Sequence, residues 1–167
     1  MKTLLSLTTA AAALLCLSTA ADAKPIHSAG RFGIGLGSGT IANGLSLKYF
    51  MADSLAIQAN VGFFGGRGGD RFKDNGGIAA SADILIENSP LIASSLLNLE
   101  WNYGVGAGIG VRDDNSVIAA AGVLGLEVNF NVIPVDIVLE YRPNLALSPD
   151  VELDFVDFSG HIRYYFQ

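Results

Sequence analysis

Residues 97–112 read Leu-Asn-Leu-Glu-Trp-Asn-Tyr-Gly-Val-Gly-Ala-Gly-Ile-Gly-Val-Arg. Every second residue from Leu97 to Val111 is apolar, and the positions between hold Asn98, Glu100, Asn102, four glycines and Arg112. A period of two sends alternate side chains to opposite faces of a strand, whereas a helix repeats every three to four residues. This segment therefore predicts a long strand with one apolar face and one small, polar face.

The pattern repeats in both directions. Toward the N-terminus, Ile78, Ala80, Ala82, Ile84 and Ile86 alternate with Ala79, Ser81, Asp83, Leu85 and Glu87. Before them, Leu55, Ile57, Ala59, Val61 and Phe63 oppose Ala56, Gln58, Asn60 and Gly62. Leu45, Leu47, Tyr49 and Met51 oppose Ser46, Lys48 and Phe50, and Phe32, Ile34 and Leu36 oppose Gly33, Gly35 and Gly37. Toward the C-terminus, Leu124, Leu126, Val128, Phe130 and Val132 oppose Gly125, Glu127, Asn129 and Asn131. Val135, Ile137, Leu139, Tyr141 and Leu145 oppose Asp136, Val138, Glu140, Arg142 and Asn144. Finally Val156, Phe158, Ile162, Tyr164 and Phe166 oppose Asp157, Ser159, His161, Arg163 and Tyr165. The sum is eight strands.

Composition agrees. Half of the 167 residues are hydrophobic, 16% are charged and 20 are glycine, which excludes a disordered chain and a helical bundle. The net charge of −6 removes the attraction that nucleic-acid binding depends on, so no nucleic-acid partner is expected. Mean hydropathy is +0.42. Part of it comes from the N-terminus, where Lys2, the apolar run Ala10 to Leu17 and Ala21-Asp22-Ala23 match a secretory signal peptide over residues 1–23. Downstream the longest apolar run, Val117 to Leu126, falls short of the ~18 residues a spanning helix needs. The single cysteine, Cys16, lies inside this leader, so the exported chain is expected to form no disulfide. Leu15 stands before it, where a lipoprotein signal wants a small residue.

The polar face separates two all-β architectures. A soluble barrel points its apolar face inward and displays charge outside. Here the apolar face carries no charge, while the other mixes Lys48, Arg112, Arg142 and Arg163 with Asp83, Glu87, Glu100, Glu127, Asp136, Glu140 and Asp157 among Gly, Ser and Asn. A narrow lumen needs that mixture of small side chains and pairable long ones. Strand lengths fit the ~9–11 residues of a tilted membrane strand. The expected fold is an eight-stranded antiparallel up-and-down transmembrane β-barrel over residues 31–167, preceded by a short segment, 24–30. Ala52-Asp53-Ser54 and Asn131 to Pro134 are tight joins, Gly65 to Gly76 and Pro143 to Phe155 are long, and Asn88 to Leu96 is an exception, longer than a typical periplasmic turn. With an even strand number and both termini periplasmic, the long loops face outward. Phe32, Tyr49, Phe130, Tyr164 and Phe166 would mark one interface, Phe63 and Phe158 the other.

These residues resemble the small eight-stranded outer-membrane barrels of diderm bacteria, the OmpA/OmpX type in the broad sense. The most specific part is Gly160-His161-Ile162-Arg163-Tyr164-Tyr165-Phe166, which is similar to the aromatic final strand read by the barrel-assembly machinery; Gln167 departs from the usual aromatic end. The resemblance implies outer-membrane localisation, with lipid and lipopolysaccharide, the assembly machinery and an extracellular loop ligand as partners. A lumen filled by side chains leaves a structural or surface-interaction role as the expectation, with no enzyme activity, no cofactor and no metal.

Gly33, Gly35, Gly37 and Gly39, like Gly104, Gly106, Gly108 and Gly110, break the G-x-G-x-x-G pattern at Ser38 and Ile109 and are expected to make lumen space. Ser159 and His161 share a face, with Glu100 or Glu140 in prospect, which raises the alternative of a lipid A-modifying hydrolase. A soluble periplasmic barrel holding an apolar ligand is the other alternative. Asp150, Glu152, Asp154 and Asp157 offer hard oxygen ligands but lack a calcium-loop pattern, so a solvated acidic surface is expected. His27 is expected to be an exposed tail residue, and no His, Cys and carboxylate cluster has metal-site spacing in sequence.

Overall fold

The computed structural model describes residues 25–64, 77–112, 115–148 and 151–166. The predicted leader with Cys16, the loop Gly65 to Gly76, Asp150 and Gln167 lie outside the described residues. Eleven strands run in order: β1 Phe32–Ser38, β2 Ala42–Ala52, β3 Leu55–Phe64, β4 Ile78–Glu87, β5 Ile92–Ala93, β6 Leu97–Arg112, β7 Asn115–Phe130, β8 Val135–Tyr141, β9 Asn144–Ser148, β10 Glu152–Asp154 and β11 Phe158–Phe166. No helix occurs among the described residues.

Neighbouring walls pair antiparallel, and β1 closes the cylinder by pairing with both β2 and β11. Phe32 stands opposite Tyr49 on one side and Phe166 on the other, so both ends of the described chain lie at the same end of the barrel. Eight walls result: β1, β2, β3, β4, β6, β7, the pair β8 and β9, and β11. β5 is a small annex on β6, formed within the Asn88 to Leu96 join. β10 extends β9 at the loop end.

β7 ends at Phe130 rather than Val132 and β11 starts at Phe158 rather than Val156, and two further boundaries differ more from the sequence reading. The sixth wall begins at Asn115 rather than Leu124, because the apolar run Val117 to Leu126 continues β7 with Ala119, Ala121 and Val123 turned inward. The seventh wall is broken at Arg142-Pro143. β7 pairs with β8 from Leu124 to Asn129 and with β9 from Ile118 to Ala121. Pro143 has no N–H for the ladder, and its carbonyl accepts from Gly122 at 2.9 Å.

The two faces sort as the alternation predicts. Lys48, Gln58, Asp83, Glu127, Asp136, Glu140, Arg142 and Arg163 are buried inside, while Leu36, Val61, Phe63, Ile78, Val105 and Leu139 lie exposed on the outer wall. The aromatic rows are also present. Tyr164 and Phe166 meet edge-on at 5.1 Å at the termini end, and Tyr141 and Phe158 lie 5.5 Å apart toward the loop end.

Lumen space depends on the inward glycines. A Cβ at Gly33 would enter the Tyr165 ring, one at Gly37 the His161 ring, one at Gly106 the Asp83 carboxylate and one at Gly110 the Phe64 ring. Both ends of the lumen receive inserted chain. At the loop end the β1–β2 turn dips inward, burying Thr40, and Ile41 adopts φ +58°, a left-handed conformation that is costly for a β-branched residue. At the termini end Ile26 packs in a cluster with Phe50, Ala56, Leu85, Val123 and Tyr165.

Gly35 is the most constrained seam position, since a Cβ there meets the Ile162 carbonyl and Arg163 Cα, backbone that has no rotamer to change. Gly35→Ala is expected to lower stability by about 1–3 kcal/mol through forced separation at the β1–β11 seam. Gly122→Ala, whose Cβ meets only Pro143 Cγ at 3.6 Å, should be near neutral. Urea unfolding midpoints of the two variants in detergent check the contrast.

Candidate functional site

The chemistry-bearing side chains converge in the lumen, on strands whose alternation leaves them nowhere else to point. Two layers are distinguishable. The middle layer centres on Arg142, which donates to Asp83 Oδ1 at 2.5 Å, Glu140 Oε2 at 2.5 Å and Thr40 Oγ1 at 3.1 Å. Gln58 Nε2 donates to Asp83 at 3.1 Å and to Glu140 Oε1 at 3.0 Å. Arg163 grips Asp136 through Nε at 3.0 Å and Nη2 at 2.7 Å, and also donates to the Gln58 side-chain oxygen. The Tyr165 hydroxyl donates to Asp136 at 2.7 Å. These are charge-assisted bonds between buried side chains, so each charge depends on its neighbours for satisfaction.

Ser159 and His161 face the lumen, as expected, and the carboxylate they reach is Glu140. Ser159 Oγ and His161 Nε2 both contact Glu140 Oε2 at 3.0 Å. Glu100 is elsewhere, accepting from Asn129. The serine on the other side of the imidazole was not anticipated: Ser46 Oγ lies 2.9 Å from His161 Nδ1. β1 explains the reach, because Gly35 is in register with both Ser46 and Arg163, and Gly37 with His161. With no side chain on β1 at those heights, the ring crosses that strand to β2. A pattern of glycines facing a histidine two strands from a serine is the signal that would have found it.

Ser46, His161 and Glu140 have the donor and acceptor order of an activated hydroxyl. Ser46 is fully buried and Ser159 nearly so. An apolar hollow of about 370 Å³ lies on the outer wall between β4, β6 and β7, where Ala80, Ala82 and Ala107 are small, but neither serine lines it.

The second layer is at the termini end and overturns the expectation for His27. Its side chain is only 12% exposed. Nδ1 lies 2.7 Å from Glu100 Oε2, and Nε2 lies 3.1 Å from Glu127 Oε1 and 3.7 Å from Glu87 Oε2. The ring also packs 4.9 Å from Phe50. Lys48 Nζ bridges Glu127 Oε2 at 2.6 Å and Glu87 Oε1 at 2.9 Å. The segment is fixed by backbone as well: Gly30 N donates to the Phe50 carbonyl at 2.8 Å and Ala29 N to Asp53 at 2.9 Å. A tail position gives no sequence clue to this docking, since Glu127 is 100 residues away.

The acidic run of the last long connection does not act as one unit. Asp157 turns into the barrel and accepts from Asn144 Nδ2 at 3.0 Å, whereas Glu152 is exposed. Among the described residues, the groups placed to hold a cation are His27, Glu87 and Glu127. No family model, no curated protein and no solved structure matches the chain.

Two outcomes are expected. Arg163→Met leaves Asp136 buried without its cation and should cost roughly 3–5 kcal/mol in urea unfolding, with Asp136→Asn in the same chain recovering part of the loss. Burial lowers the His27 pKa, but contacts with Glu100 and Glu127 outweigh it and raise the pKa from the ordinary 6.5 to about 9. Because the docked value is the higher one, this contribution to docking is complete below pH ~6.5 and is lost as pH rises through about 9. A nitroxide on Ala29→Cys, with chelator present, should gain mobility between pH 7 and 10; an unchanged spectrum would contradict the assignment.

Proposed function

We propose that this chain is an outer-membrane β-barrel protein with a structural or surface-interaction role, its lumen filled by side chains and carrying no solute flux. The observation that carries this reading is the outer wall. Among the described residues, no Asp, Glu, Lys or Arg occupies an outward position of β1 to β4, β6 to β9 or β11, and large apolar side chains such as Leu36, Phe63, Ile78 and Val105 are about two-thirds or more exposed. Water-soluble monomers rarely expose an apolar surface that continues around the whole molecule, whereas lipid covers it without cost. The closed hydrogen-bonded cylinder meets the other requirement of a bilayer, because no wall strand is left with an open edge.

The interior supports the absence of flux. An eight-stranded barrel has room for its own side chains and little more. Here Arg142, Arg163 and Lys48 span it, Thr40 enters from one end and His27 from the other. The predicted leader, the barrel's resemblance to small outer-membrane proteins and the aromatic final strand support export and recognition by the assembly machinery. Lipid and lipopolysaccharide then surround the wall, and binding partners meet the loops at the end away from the termini.

The hydrolase alternative has the Ser46–His161–Glu140 contacts in its favour and burial against it, since an acyl carbonyl has to approach the serine oxygen. Cell fractionation is expected to recover the protein in the outer membrane, with migration that shifts on heating in detergent gels. Recovery in the soluble fraction would overturn the reading in favour of a periplasmic barrel. In the same overexpressing strain, the lipid A mass spectrum should be identical for the wild type and for Ser46→Ala, Ser159→Ala and His161→Ala. A modified species present only with the wild type would establish the enzyme instead.

A further inference from the structure

We propose that the termini end of the lumen is a binding site for one divalent transition-metal cation of the zinc class, held by His27 Nε2, Glu87 Oε2 and Glu127 Oε1, and that the ion fastens the N-terminal segment to the barrel.

Three observations carry it. The first is geometric. The three ligand atoms lie within 4.8 Å of one another, with His27 Nε2 3.1 Å from Glu127 Oε1 and 3.7 Å from Glu87 Oε2. Zinc–nitrogen and zinc–oxygen bonds of about 2.0–2.2 Å in a tetrahedron put ligands roughly 3.3–3.5 Å apart, so small side-chain movements suffice. The second is the other side of the histidine. Nδ1 lies 2.7 Å from Glu100 Oε2, and that same oxygen accepts from Asn129 at 3.0 Å. A carboxylate holding the distal nitrogen of an imidazole orients the ring and directs the opposite nitrogen to a metal.

The third observation points to a missing positive partner. Glu87 is buried, and its Oε2 has no hydrogen-bond donor. Lys48 Nζ lies 2.9 Å from its Oε1, while Oε2 faces His27 Nε2 at 3.7 Å. The side-chain oxygens of Asn102 and Asn129, also buried in this layer, lack donors too. Lys48 uses Glu87 Oε1 and Glu127 Oε2, which leaves the two proposed ligand oxygens on the histidine side. Three carboxylates against one lysine and one histidine make a layer deficient in positive charge, and a divalent ion replacing the Nε2 proton corrects that. One nitrogen with two oxygens suits zinc better than calcium, which takes six to eight oxygens. The assignment needs the closed barrel only and does not depend on which membrane surrounds it.

The test uses the mature protein without a polyhistidine tag, folded in detergent and titrated calorimetrically with Zn²⁺ alone and, separately, with Ca²⁺. One Zn²⁺ per chain is expected, bound at least about 10-fold more tightly than Ca²⁺. His27→Ala should abolish saturable uptake. Glu100→Gln, which keeps all three ligands, should weaken binding about 10–100-fold. His27 lies outside the strands, so its substitution should leave the β circular dichroism intact; if it does not, the Glu100→Gln comparison decides. Zn²⁺ bound equally well by the wild type and both variants, or not bound by the wild type, would overturn the proposal.

Discussion

Closing eight strands into a cylinder forces every inward side chain into one narrow shared column, where each charge has to be met by another across the lumen. Arg142, contacting Asp83 on β4 and Glu140 on β8, is the clearest case, because it ties walls that are not neighbours. Arg163 with Asp136 and Lys48 with Glu87 and Glu127 repeat the device. Buried ion pairs add little net stability, because desolvation offsets the attraction. Their effect here is on register: a slip of one residue on any wall would bring apolar side chains into this column and turn its charges outward.

The column also sets what the glycines do. Where Asp83, His161 and Tyr165 lean over the neighbouring strand, that strand has Gly106, Gly37 and Gly33 at the paired positions. Space left at the two ends is taken by chain rather than by side chains of the walls. The β1–β2 turn accepts an unfavourable backbone at Ile41 and in return places Thr40 on Arg142. Ile26 and His27 cover Phe50 at the other end, adding an apolar contact and a set of ionic ones. Closure, glycine placement and end-filling are thus consequences of a single geometric limit.

Much of this was legible in the chain. Alternation over residues 97–112 and the seven comparable segments assigned nearly every side chain to its face, down to the apolar lumen residues Phe50, Leu85, Val138 and Tyr165. It erred at ends and joins. β7 begins earlier than the apolar and polar faces contrast, because its inward residues Ala119, Ala121 and Val123 are apolar like the outward ones, and Arg142-Pro143 interrupts a pattern that looks continuous. Ser159 and His161 were recognisable as a pair, and Glu140 as one of two carboxylate candidates, but Ser46 was not.

The difference is one of range. The side of a strand on which a residue lies follows from its immediate neighbours, through the two-residue repeat of the backbone. Which carboxylate meets which cation depends on the register of strands that are non-adjacent around the wall, and on tail and turn segments that fold back inside it. His27 shows the contrast: by sequence it is a polar residue near a chain end, and by structure it is held among Glu87, Glu100 and Glu127. Local periodicity carries no information about contacts made across a closed lumen; only closure brings those residues together.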